Sequence, residues 1–164
     1  TYFYFFFYLV STLVNMYFLT TSGIGYSEQL CKDVVDWFIT KFLPRHKLYI
    51  DIRHDDLKVY NGTGFCDVCS EYGDIHRPRD FVIDLQSQMP KTWYIITLIH
   101  ELVHLKQMVR GQITYKCGRM IWDGIRVTEL DYAIQPHEIE AYDSEWPLYL
   151  EYMWDTTGNW HGDA

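Results

Sequence analysis

The chain has 164 residues, the size of one domain with room for a single core and a single site. Its formal net charge of -8 argues against a nucleic-acid backbone as partner, because such proteins present a basic face, and the basic residues of "HRPRDF" with nearby Lys91 are too scattered to make one. At 48% hydrophobic and 18% aromatic, the composition excludes disorder across the whole chain.

The opening "TYFYFFFYLVSTLVNMYFL" is apolar over about 19 residues, long enough in principle to cross a bilayer, but it has no basic flank and no small-residue cleavage site. Residues 1–15 therefore read as an extension: translated upstream sequence, a signal or an anchor. Met16 then opens the domain proper, 16–155, with "MYFLTTSG" as first strand and turn. The expected location is the cytoplasm, with membrane attachment only if residues 1–19 act as an anchor. Next, "SEQLCKDVVDWFITKF" places Leu30, Val34, Trp37, Phe38 and Phe42 near one helical face, with Ser27 as N-cap and Pro44 as stop.

"KLYIDIRH" and "RDFVIDLQS" alternate apolar and polar residues and predict strands, and between them "DDLKVYNGTGFCDV" carries an Asn-Gly turn signal. Together they predict a small mixed or antiparallel sheet with "RDFVIDLQS" at its edge. The four cysteines are not spaced as a disulfide framework. The C-x-x-C of Cys66 and Cys69 lacks a second ligand pair, so these read as thiols on a strand or turn in a reducing cell.

From Pro90 or Lys91 to Arg110 the pattern is helical and apolar nearly all round, as in a buried central helix, and Gly111 is placed to end it. Residues 112–135 show no clear period and predict irregular chain with short strands. "PHEIEAYDSEWPLYLEYMW" predicts a second helix starting at Pro136 and bent or stopped near Pro147, followed by a frayed tail, 156–164. The fold class that follows is α+β.

The central helix holds "LIHELVHLKQ". Residues four apart on a helix project from nearly the same direction, so His100 and His104 can offer imidazole nitrogens to one ion. Glu101 lies beside that face, placed for a base that works on water rather than for a ligand. Two histidines and a glutamate inside an apolar helix cost several kcal/mol unless paired, and a divalent cation pairs them. A catalytic zinc needs a third protein ligand. In "PHEIEAY" the candidates are Glu138, Glu140 and, more weakly, His137. Glu138 and Glu140 stand about 200° apart around the axis, so only one can face the ion. If small Ala141 marks the contact with the central helix, Glu138 lies within about 60° of that contact and Glu140 about 100° from it. Glu145, seven residues on, is placed to orient a ligand histidine.

"LIHELVHLKQMVRGQ" followed by "PHEIEAYDSE" resembles the small zincin-like metallopeptidases of tailed phages and some large DNA viruses, with their HELVHxKQ helix and later P-x-E-I-E-A segment. The resemblance runs from about Met16 to Glu145 and includes the Trp-x-Gly at "WDG"; His137 departs from it, standing where an aromatic is common. It implies a minimal gluzincin-type fold: a curved sheet, an active-site helix with the HExxH motif, and a second helix carrying the third ligand. In the wider group the ligand Glu commonly stands three residues before a small residue, which favours Glu138 over Glu140. The chain is more distantly similar to SprT-like proteases. The zinc ribbon or basic tail of those that act on DNA-bound proteins is not among these residues.

The function expected is a zinc-dependent metallopeptidase with a peptide or protein as substrate, metal ligands His100, His104 and Glu138, and Glu101 as general base. The alternative is a non-catalytic zinc-stabilised binding domain, disfavoured by the intact Glu101. An edge strand is expected to hold an extended substrate, and Tyr115, Tyr132, Tyr142 and His161 are candidates for a second oxyanion donor.

Overall fold

Alternating apolar residues place Leu48, Ile50, Ile52, Phe81, Ile83 and Leu85 on one face of a four-stranded sheet, all nearly or fully buried. The computed structural model describes residues 16–60, 62–69, 75–127 and 129–159. The strands are β1 (Tyr17–Gly23), β2 (Leu48–Asp55), β3 (Gly64–Val68) and β4 (Asp80–Gln86), in spatial order β1-β2-β4-β3. β1, β2 and β4 run parallel; β3 returns antiparallel to β4. The sheet is mixed, and β4 lies in its interior. The edge expected at "RDFVIDLQS" belongs instead to β3, because the hairpin from β3 into β4 covers that side of β4.

Helix α1 (Glu28–Phe42) starts at Ser27, whose Oγ accepts from the Leu30 N–H. Its C-cap is Leu43, just before Pro44. Helix α2 (Lys91–Arg110) ends at Gly111, which takes a left-handed φ of 79°. It is buried on nearly every side, packed against α1, the sheet and helix α3 (Pro136–Thr157). The short strands expected within 112–135 are present and pair into a second antiparallel sheet, β5 (Ile113–Lys116), β6 (Arg119–Trp122) and β7 (Ile125–Arg126). Paired backbone hydrogen bonds between Ile75 and Tyr115 tie this sheet to the β3–β4 connection.

At the C-terminal end the expected stop at Pro147 and the expected start of the tail are corrected. α3 neither stops nor restarts at Pro147 but continues to Thr157, two residues into the expected tail. Pro147 and Asp143, whose carbonyl loses its helical donor there, both lie on the exposed face, where water can bond the freed oxygen. Gly158 caps the helix with a φ of 68°. Among the described residues no helix is long and apolar enough to cross a membrane, and residues 17–19 of the apolar opening belong to β1. Residues 1–15, Asn61 of the turn signal and His161 lie outside the described residues. All four cysteines are described and form no disulfide; Cys66 is on β3 and Cys69 follows it.

Candidate metal centre

A cleft of about 1230 Å³ opens between β3, α2, α3 and the second sheet, and His100, Glu101, His104, Glu138 and Glu145 all line it. Within it, ligand atoms of His100, His104 and Glu138 lie within 4.8 Å of one another. Glu138 Oε2 is 3.4 Å from the Nε2 of each histidine, and the two Nε2 atoms are 3.1 Å apart. The α2 pair meets the first turn of α3 because fully buried Ala141 lets the helices approach, as its small side chain suggested. Glu140 points elsewhere, toward Lys106 Nζ at 3.5 Å.

The outer nitrogens fix the tautomers. His100 Nδ1 donates to Glu145 Oε2 at 2.8 Å, a carboxylate that can only accept. His104 Nδ1 donates to Gln107 Oε1 at 2.9 Å; the amide orientation follows because Gln107 Nε2 must donate to the His137 carbonyl, 3.1 Å away. Both Nε2 atoms of the neutral rings therefore turn lone pairs toward Glu138 Oε2. Three buried acceptors so placed repel one another unless a cation stands among them, and two imidazole nitrogens with a carboxylate oxygen are a donor set suited to a divalent ion.

Without an ion, a proton can stand in for the cation in this cluster, and the electrostatics show the pull of the carboxylates. Burial pulls the His100 imidazole down, but Glu138, Glu101 and Glu145 outweigh it and hold its pKa above the ordinary value. Burial pushes Glu138 up, yet without an ion His100 and His104, when protonated, and the Tyr132 hydroxyl donate hydrogen bonds that keep it well below the usual carboxylate range. Glu101 behaves oppositely. Burial lifts it to about 7, the nearby Glu138 and Glu145 charges add to the rise, and the two histidines oppose it.

Tyr132, in a 3-10 turn at Tyr132–Ile134, donates to Glu138 Oε2 at 2.7 Å. The Tyr142 ring lies edge-on to His100 with centroids 4.7 Å apart, and Tyr115 lines the cleft from the second sheet. His137 is buried behind the site, its Nε2 3.6 Å from Glu138 Oε1 and its Nδ1 without a hydrogen-bond partner. An Nε2–H tautomer directs the proton at the carboxylate and leaves only a bare acceptor buried.

Two participants were not singled out from sequence. Gln107 shares a helix face with His104, three residues earlier, and closes the HELVHxKQ pattern; the spacing and the pattern were the available signals. Gly64 gave none: it lies on β3 where an added Cβ would stand 2.6 Å from Glu101 Oε1. Compared with protein-family models, with curated proteins and with solved structures, the chain matches none.

Proposed function

We propose that this protein is a zinc-dependent metallopeptidase of zincin-like, gluzincin-type fold, in which His100, His104 and Glu138 hold the ion and Glu101 is the general base. The observation that carries the reading is the convergence of three ligand atoms from α2 and α3 beside a buried carboxylate on an open cleft. The resemblance of the HELVHLKQ and PHEIEA segments to phage and viral zincin-like peptidases points the same way. When bound, zinc supplies Lewis acidity, polarising a scissile carbonyl and lowering the pKa of water.

The chain's own groups do the rest. Glu101 takes a proton from water as the oxygen attacks the carbonyl carbon, then delivers it to the amine nitrogen as the C–N bond breaks. Low-dielectric surroundings make the carboxylate a stronger proton acceptor than an exposed one. The substrate lies along β3. Gln86 N–H bonds the Thr63 carbonyl and Cys69 N–H bonds that of Asp80, so the alternating ladder turns the backbone groups of Gly64, Cys66 and Val68 away from β4, on the side open to an added strand. An extended polypeptide therefore fits better than a compact small molecule.

The test pairs metal analysis with peptide-library cleavage. Wild type should contain close to one zinc per chain, and His100→Ala or His104→Ala should lose it. Glu101→Gln should keep zinc and fold while losing hydrolysis by at least about 100-fold. Wild-type turnover in Glu101→Gln refutes the base assignment; zinc retained without hydrolysis in wild type favours the non-catalytic binding domain.

A further inference from the structure

Gln107 is fully buried and has both ends of its carboxamide engaged. Oε1 accepts from His104, and Nε2 donates to the carbonyl of His137, the residue immediately before Glu138 in the first turn of α3. One side chain thus joins an imidazole on α2 to the backbone that carries the carboxylate on α3. We propose that Gln107 is a positioning residue that straps the first turn of α3 to His104 and so sets the separation of His104 and Glu138. The inference rests on the metal-site reading above and adds a residue whose effect passes through two ligands at once.

The chemistry of the position selects glutamine. His100 needs only an acceptor at Nδ1, and the Glu145 carboxylate provides one. At His104 the partner must accept from an imidazole with one atom and donate to a carbonyl on another helix with a second; a carboxamide on a two-methylene stem does both, and asparagine is one methylene shorter. A carboxylate there would turn its second oxygen toward the His137 carbonyl oxygen. It would also add a fourth negative charge to those of Glu101, Glu138 and Glu145. Leucine, similar in volume, would leave a buried N–H and a buried C=O each short of a partner. Tyr132 and His137 address the Glu138 carboxylate itself; Gln107 holds the backbone beside it.

The experiment measures zinc affinity by competition with a chromogenic chelator in wild type, Gln107→Leu, Gln107→Glu, Glu138→Gln and the double variant Gln107→Leu/Glu138→Gln. Cobalt(II)-substituted samples report coordination through their visible bands. Gln107→Leu should weaken zinc binding about 10- to 100-fold and alter the cobalt spectrum. Gln107→Glu keeps only the His104 arm and should also bind more weakly than wild type. The double variant should lose less than the product of the single losses, because without the Glu138 carboxylate the strap has less to position. Circular dichroism of the zinc-free variants checks the fold, and if Gln107→Leu does not fold, Gln107→Glu replaces it in the cycle with Glu138→Gln. Wild-type affinity in Gln107→Leu, affinity at or above wild type in Gln107→Glu, or losses that multiply strictly would each overturn the strap. Wild type that takes up neither zinc nor cobalt would overturn the metal reading and the strap with it.

Discussion

A hydrogen atom in place of a side chain at residue 64 governs how closely β3 approaches the proposed base. A Cβ there would stand 2.6 Å from Glu101 Oε1 and 2.9 Å from both Glu101 Cγ and Thr97 Cγ2, so something must shift. Glu101 is 5% exposed and has little room to yield. Gly64→Ala is therefore expected to displace either the carboxylate or the strand, lowering kcat by about tenfold or more, since small misplacements of a reacting group are costly. Stability should fall by about 1–3 kcal/mol from overpacking. Zinc content should not change, because the alanine methyl meets the base and not the ligands. Steady-state kinetics with metal analysis check this; an alanine variant with wild-type kcat would show that β3 does not constrain Glu101.

Among the elements, α3 combines two demands that local propensity sets against each other. Its first turn must present Glu138 to α2, and its later turns bury Tyr149, Tyr152 and Met153 against the core. Pro147 sits between these parts, where it removes one backbone donor. The helix survives because both parts are held by packing, and because the interrupted turn faces solvent. Replacing Pro147 with alanine should restore the donor to the Asp143 carbonyl and raise stability by about 1–3 kcal/mol, up to the intrinsic helix cost of proline. Thermal unfolding should show a midpoint several degrees higher. A lower midpoint would mean that the proline ring makes a contact worth more than the hydrogen bond it prevents.

At the scale of the whole molecule, a polar network at the centre couples four elements. His54 on β2 donates from Nδ1 to the Ser22 carbonyl of β1 at 2.9 Å and accepts at Nε2 from Tyr94 of α2 at 3.0 Å. Tyr26 stacks on its ring at 3.6 Å, and the Tyr94 hydroxyl is also bonded with Cys31 of α1. Burial lowers the His54 pKa below the ordinary histidine value, against an opposing contribution from the Ser22 carbonyl. With the folded pKa below the unfolded one, the unfolded chain binds more protons in the window between them. Stability from this group is then complete above about pH 6.5 and falls as the pH drops below it, with a limiting slope of about 1.4 kcal/mol per pH unit. Denaturant unfolding of zinc-free protein from pH 8 to 5 should show wild type losing more stability than His54→Gln over that range. Parallel losses in the two proteins would assign the acid sensitivity elsewhere.

Much of this molecule is determined locally. Alternation in "KLYIDIRH" and "RDFVIDLQS" specified β2 and β4, the Ser27 and Gly111 caps bounded α1 and α2, and the four-residue spacing of His100 and His104 specified their shared direction, because each depends only on helix or strand periodicity or on the local chemistry of a helix end. Ala141 even indicated which carboxylate turns inward. Strand order was not legible, since alternation says which face is buried but not which strand lies beside it; the β3–β4 pairing alone moved the edge from β4 to β3. Nor could the sequence place β5 to β7, whose short strands are held by pairing to one another and to Ile75. The continuity of α3 through Pro147 depends on what packs against its two ends. Gln107 and Gly64 acquire their roles only when α3 and β3, distant in sequence, are brought against α2, because a hydrogen bond to the His137 carbonyl and a 2.6 Å steric limit at Glu101 are properties of that packing and of no local pattern.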